Sequence, residues 1–348
     1  MGLNTVAQQA FIRFPLSLRF IYLCRHLANT QNLFLKWEKR CLDRLHANAR
    51  DLPKGRVLPV REFTPDTFDA AIIKSMSRRE TFPIVIRGFA DPDLLTLENL
   101  SSNYGNAMVP VHPNANLKSG AIYRSLTHRP LADVIEDIES GKSIYTVAAT
   151  EIFGAYPELS EHTQTSRIEK IAQVDIIKDE FFIGAAKTGS NFHAAPADNY
   201  FLMVQGRKLW RLIDPRNSLA MYPTFGRQRE SAAVISPITS KDYDPGQYPL
   251  FEKIDMYEVE LQPGDLLYNP TMWWHEVENL DATIGAPHRV VPRSRYDFTG
   301  LIILLRMATF KYYTAAFRDL IRGKNSKVAE LSDTQVMTTY GGQPKKTL

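Results

Sequence analysis

The sequence predicts a mainly β chain with flanking helices, closed as a jelly roll. Three observations predict it. Short runs rich in β-branched and aromatic residues recur through the middle of the chain. Pro and Gly punctuate them, and no regular strand–helix alternation appears, which argues against a parallel α/β sheet. Helical periodicity is confined to the two ends.

In order, residues 16–47 read as one helix, because Phe20, Leu23, Cys24, Leu27 and then Phe34, Trp37, Cys41, Leu45 recur at three-to-four spacing, with Pro15 at an early helical position. Residues 51–56 form a turn-rich linker. The strand candidates follow: 82–88, 143–148, 180–184, 200–205, 209–213, 259–261 and 265–268. Helical periodicity returns at 299–322, through Leu301, Leu305, Ala308, Tyr312, Ala315 and Phe317, and the polar stretch 323–348 reads as a mobile tail. The expected organisation is a helical arm and linker at 1–56, a β-domain at 57–298, a helix at 299–322 and a tail. The second helix would pack on the domain or serve a homodimer.

The 348 residues are 44% hydrophobic and 23% charged, which excludes disordered and fibrous classes. Two cysteines, Cys24 and Cys41, give no disulfide framework and point to a reducing, cytoplasmic setting. No apolar run reaches the length of a membrane span: 14–24 is broken by Arg19, and 301–305 ends at Arg306. Net charge is +4, but residues 1–56 carry ten Lys/Arg against three acids, a balance of +7 that leaves −3 on the rest. The body is therefore no basic nucleic-acid binder, and only the arm favours an anionic partner, such as a carrier- or nucleotide-linked substrate.

Two segments about 80 residues apart carry the chemical signal. The first runs from Phe181 through Gly184, Ser190, His193, Ala195 and Asn199 to Gly206, Lys208 and Trp210. The second runs from Pro263-Gly-Asp265 through Asn269-Pro270 to Trp273, Trp274 and His275. His193 is expected to begin a strand whose neighbour carries Lys208, and His275 to open the strand after Asn269-Pro270. Two histidines at the mouths of adjacent strands can share one transition-metal ion.

These segments resemble the JmjC/cupin-like Fe(II)- and 2-oxoglutarate-dependent hydroxylases, a family with a double-stranded β-helix (jelly-roll) fold. The match runs over roughly 57–290, including Phe82–Gly88, Tyr104-Gly105 and Tyr156–Leu159. The resemblance implies that His193 and His275 bind iron. It implies that Lys208 pairs with the distal carboxylate of 2-oxoglutarate, that Ser190 and Tyr145 touch the same carboxylate, and that Asn199, expected on the same strand face as His193, lies near the cosubstrate. For Tyr145 and Asn199 an ordinary buried hydrogen-bonding role fits the sequence equally well. His112, His128, His162 and His288 read as surface or core residues.

One position departs from the pattern. The family's third ligand, the acid two residues after the first histidine, is Ala195. Three readings follow. The site resembles the Fe/2-oxoglutarate halogenases, which replace the acid by Ala or Gly, so that chloride or bromide takes the vacated position and O2 remains the oxidant. Alternatively a nearby acid, Asp198 or a water held by Glu276, completes a hydroxylase. Or the domain is inactive and binds a partner. The substrate class is not legible from the sequence.

Overall fold

The structure, a computed structural model, describes residues 11–28, 32–76, 80–92, 95–113, 127–146, 148–224 and 234–290. The helix expected at 299–322, its use in a dimer and the tail at 323–348 lie outside these residues.

The strands are β1 (Val57–Pro59), β2 (Arg61–Phe63), β3 (Ile84–Ile86), β4 (Met108–Pro113), β5 (Thr127–Pro130), β6 (Ile144–Thr146), β7 (Ile176–Asp179), β8 (Phe182–Gly184), β9 (Gly189–Ala194), β10 (Asp198–Gln205), β11 (Lys208–Ile213), β12 (Val234–Ile235), β13 (Met256–Leu261), β14 (Leu266–Asn269), β15 (Trp274–Asn279) and β16 (Thr283–Val290). One sheet has the order β1-β13-β11-β15-β9-β12. The other runs β2-β3-β14-β10-β16-β8-β6-β4-β5, with β7 also paired to β16. Within each sheet the long central strands pair antiparallel, and the two sheets face each other as expected for a jelly roll.

Three layers of apolar packing follow from strand alternation. Val85, Phe201, Met203 and Leu267 from the larger sheet meet Trp210, Leu212, Val259, Leu261 and Val277 from the smaller one, and this shared interior is the barrel core. The outer face of the larger sheet, with Tyr200, Leu202, Ile284 and Ala286, packs under helices that the composition of the central segment did not announce. They are α4 (Leu97–Tyr104), α5 (Leu131–Glu139) and α8 (Thr165–Ala172), with the shorter α3 (Ala70–Ser75), α6 (Glu151–Ala155) and α7 (Leu159–His162). The outer face of the smaller sheet, with Phe192, Ala194, Ile213 and Trp274, packs on Ile12, Leu18, Ile21 and Tyr22 from the N-terminal arm.

That arm corrects the single helix expected over 16–47. It is a hairpin of α1 (Leu16–Leu27) and α2 (Leu35–Ala49). Arg25 forms a two-pronged ion pair with Glu38 at 2.7 and 2.6 Å, and Cys41 lies 3.4 Å from Ser17, so α2 folds back along α1. The physical reason is local. Asn29, Thr30 and Asn32 interrupt the run with residues whose side chains compete for backbone hydrogen bonds, and Phe34 enters α2 with a left-handed backbone.

Candidate functional site: two histidines facing a buried lysine

The inward face of the smaller sheet carries the site. β9 and β15 pair antiparallel with His193 opposite His275, and their ring centroids are 4.1 Å apart. The register then shifts: Val277 stands opposite Ser190, so β9 has one more residue than β15 over this stretch. This bulge lets Ser190 and His193, three apart in sequence, face the same interior, which strict alternation would forbid. His193 is half-buried and His275 is buried.

Each imidazole is pinned through Nδ1. His193 Nδ1 lies 2.8 Å from the Asn191 carbonyl, and His275 Nδ1 lies 2.9 Å from the Trp273 carbonyl, with the Asn269 amide 3.3 Å away. A carbonyl oxygen only accepts, so Nδ1 carries the proton on both rings and Nε2 keeps the lone pair. Burial pushes His193 down to about 4 and His275 well below the ordinary imidazole value. Neutral rings with oriented Nε2 atoms are the form that ligates a metal.

The far end of the chamber is built around Lys208. It is fully buried, and its Nζ donates to Asn279 Oδ1 at 2.5 Å. Asn279 in turn donates to Thr188 Oγ1 at 2.8 Å. The Tyr145 and Phe201 rings flank the ammonium at 5.7 and 5.8 Å. Desolvation pushes the amine down to about 7. Two glycines make room. A Cβ at Gly184 would come within 2.6 Å of Tyr145 and 2.5 Å of Asn279, and one at Gly285 within 2.1 Å of Phe201 and 3.1 Å of Lys208.

Between the two ends three inward polar atoms have no hydrogen-bond partner: Trp210 Nε1, Asn199 Oδ1 and Asn269 Oδ1. The Trp210 ring stacks on His275 at 5.5 Å and 20°. Asn199 and Asn269 stand opposite each other on β10 and β14, and Arg289 on β16 is the other neighbour of Asn199. Arg289 Nε donates to Glu180 at 3.0 Å, and its charge helps to hold both imidazoles neutral.

The sequence-predicted residues His193, His275, Lys208, Ser190, Tyr145 and Asn199 thus converge on one interior. Two expected placements need correction. His193 lies near the end of β9, whose neighbours are β15 and β12; β11, with Lys208, is one strand beyond β15. Asn199 does not share a strand face with His193, because the chain crosses to the opposite sheet after Ala194 and Asn199 looks back across the interior. Ala195 sits on that crossing, half-exposed, its carbonyl accepting from Met272 N at 2.9 Å.

Both acids considered as substitutes are committed elsewhere. Asp198 accepts from Thr271 N at 2.7 Å. Glu276 points to the outer face of its sheet, where it meets Arg211 at 3.1 Å and Ser240. Among the described residues no third His, Cys, Asp or Glu joins the pair. Sequence reasoning missed Asn279, Trp210, Asn269 and Arg289. Trp210 and Asn269 stand inside the quoted motifs and Asn279 follows four residues after His275; counting in twos from Lys208 and His275 puts Trp210 and Asn279 on the inward face.

The cupin-like domain family model matches residues 73–289 of this chain. Among curated proteins, Jumonji C domain-containing protein 5 of Drosophila melanogaster is 30% identical over 194 residues, 53% of this chain and 47% of that protein. HSPB1-associated protein 1 of Homo sapiens is 40% identical over 83 residues, covering 24% and 17%. The tRNA wybutosine-synthesizing protein 5 of Mus musculus is 32% identical over 109 residues, covering 31% and 32%. The chain spans about half the length of the first relative and less of the other two. It belongs to the cupin-like domain family.

Proposed function

We propose that this cupin-like protein is an Fe(II)- and 2-oxoglutarate-dependent enzyme acting on substrate C–H bonds, with a halide standing where its relatives' fold would present a carboxylate. The single observation that carries this reading is Ala195: the position two residues beyond His193 has no ligating atom, and the nearest acids, Asp198 and Glu276, are hydrogen-bonded away from it. The rest of the chamber fits the cosubstrates. Two neutral imidazoles, each held through Nδ1, suit Fe(II). A buried ammonium that donates to a neutral amide suits the distal carboxylate of 2-oxoglutarate, since a buried charge needs an anion.

When bound, Fe(II) with 2-oxoglutarate and O2 would supply the oxidising power to break the substrate C–H bond. The chain's residues do the remainder. His193 and His275 hold the metal through Nε2, each kept in one tautomer by the carbonyl on its Nδ1. Lys208, Tyr145 and Ser190 fix the distal carboxylate, and Asn199, Asn269 and the Trp210 indole N–H offer polar contacts along the way. The crossing at Ala195 and Ala197 carries only methyl side chains, and the absent carboxylate removes one negative charge from a chamber faced by Lys208 and Arg289. Both features favour a weakly hydrated anion. A hydroxylase completed by Asp198 would require that side chain to abandon its bond to Thr271 N.

The test is spectroscopic. Anaerobic Fe(II) plus 2-oxoglutarate is expected to give a weak visible charge-transfer band that shifts between chloride and bromide. The variant Ala195→Asp is expected to keep the band and lose the halide response. A band that ignores halide in the wild-type protein would sink the halogenase reading, and no iron uptake at all would leave a binding protein.

A further inference from the structure

The N-terminal hairpin presents a feature that the chemistry above does not use. Eight large apolar side chains are left exposed among the described residues, and five of them, Leu16, Phe20, Phe34, Leu35 and Trp37, stand on this one hairpin. Four of them form a contiguous patch: Phe20, Phe34 and Trp37 are mutually in ring contact at 5.9–6.0 Å, and Leu16 lies one helical turn before Phe20. The same hairpin and its lead-in carry the exposed cations Arg13, Arg19, Lys36, Lys39, Arg40 and Arg44, with Arg19 one helical turn from Leu16 and Arg40 one from Trp37. The exposed acid between residues 11 and 50 is Asp43, which Lys39 pairs at 2.9 Å. The hairpin is firmly seated. Leu18, Ile21 and Tyr22 are buried against the smaller sheet, and the Ile12 amide donates to Asn217 at 3.2 Å.

We infer that this face docks the protein on an anionic lipid surface, with Leu16, Phe20, Phe34 and Trp37 entering the headgroup–acyl boundary and the cations of the same hairpin meeting lipid phosphates and carboxylates. The chemistry chooses this partner. Aromatic and aliphatic side chains in one patch, with Lys and Arg on the same hairpin, match the layering of a membrane interface. A polynucleotide would use the cations and rings but gives the leucines no apolar environment. No helix among the described residues is long and apolar enough to cross a membrane, so the contact is a surface one.

Trp37 makes the inference directly readable, because it is 43% exposed while Trp210, Trp273 and Trp274 are buried. In the full chain, acrylamide is expected to quench Trp37 freely. Phosphatidylcholine vesicles containing about one third phosphatidylserine are expected to shield it and to co-sediment the protein, and pure phosphatidylcholine to do so on the order of tenfold less. Brominated lipid should quench the same residue. Phe20→Ser with Trp37→Ser, read by sedimentation, and Lys36→Ala with Arg40→Ala and Arg44→Ala should each weaken binding by about tenfold or more. These side chains are exposed, so the variants should fold, which circular dichroism checks. The inference is overturned if the anionic vesicles do not bind. It also fails if binding survives both sets of substitutions, or if a single-stranded polynucleotide binds more tightly at equal salt. Shielding of Trp37 in the protein alone would show the face already covered by its own chain or a second copy, and would overturn it as well.

Discussion

The two ends of the barrel interior are built on opposite terms. At the histidine end the wall is partly open: His193 and, on the crossing from β9 to β10, Ala195, Pro196 and Ala197 are all half-buried. At the lysine end nothing is open. Lys208, Asn279, Thr188 and Thr283 are sealed, and Tyr145 closes over them. A charge in the sealed end is costly until an anion arrives, so that end selects and anchors. On the proposed reading the open end exchanges ligands and admits substrate, so it tolerates a missing side chain at Ala195 that the sealed end could not. Lys208 pairs with Asn279, four residues along β15 from His275, which separates the two ends by ~13 Å of strand. Trp210 and the two asparagines line that interval.

The sharpest way to break the comparison is to remove a histidine. His275→Ala or His193→Ala is expected to abolish Fe(II) binding, because a two-nitrogen set cannot lose one member. Metal analysis after anaerobic loading reads this, and full iron retention by either variant would dissolve the distinction between the ends. A smaller effect is expected at the other end. Lys208→Ala should leave iron uptake intact while weakening 2-oxoglutarate by roughly ten- to a hundredfold, the loss of a charge-assisted hydrogen bond worth about 1.5–3 kcal/mol. Titration calorimetry separates the two outcomes.

Lys208 also sets a pH dependence. Its folded value is depressed to about 7, while the unfolded chain titrates near the ordinary lysine value. Between these pH values the unfolded state binds more protons, so the ligand-free fold gains stability as pH rises from about 7 toward 10. Lys208→Met should remove that rise and be more stable than wild type at neutral pH. Binding of 2-oxoglutarate should run the other way, weakening as pH climbs through the same window and the amine loses its proton. A melting series with and without 2-oxoglutarate checks both slopes; parallel slopes would show that Lys208 is not the anchor.

Much of this was legible because the motifs hold their spacing. His193, Lys208 and His275 could be placed in one interior from the residues alone, and the strands around them follow the Pro and Gly punctuation. What escaped had physical reasons. A helical period cannot show that the chain reverses, so the hairpin read as one helix, and its buried Arg25–Glu38 pair is a tertiary contact between helices. The bulge that turns Ser190 inward is a register shift, visible only once β9 and β15 are paired. Asn199 was assigned to the face of His193 because alternation along one strand was assumed, whereas the chain changes sheets at Ala195–Ala197. The layer of α4, α5 and α8 was hidden by attention to the strands; α5, with Leu131, Val134, Ile135 and Ile138 inward, has a clear helical period.

The smallest effect, and the finest test of the interval between the ends, concerns Trp210. Its indole N–H is buried, inward and without a partner, although the ring itself is well used, stacked on His275 and edge-on to Phe201 at 4.9 Å. An unsatisfied buried donor costs stability, on the order of 1–3 kcal/mol. Trp210→Phe removes the donor and keeps an aromatic ring, at the cost of some volume. If the N–H exists to meet 2-oxoglutarate or another anion in the chamber, the variant should show two opposite changes. The ligand-free protein should hold its melting temperature or gain, because relief of the orphan donor offsets the lost packing. The 2-oxoglutarate complex should weaken by a few-fold, the worth of one neutral hydrogen bond at about 0.5–1.5 kcal/mol. Iron binding should not change, since both imidazoles keep their carbonyl partners. A variant that loses stability without losing affinity would make Trp210 a packing residue of the histidine end, and the interval would then be lined by Asn199 and Asn269 alone.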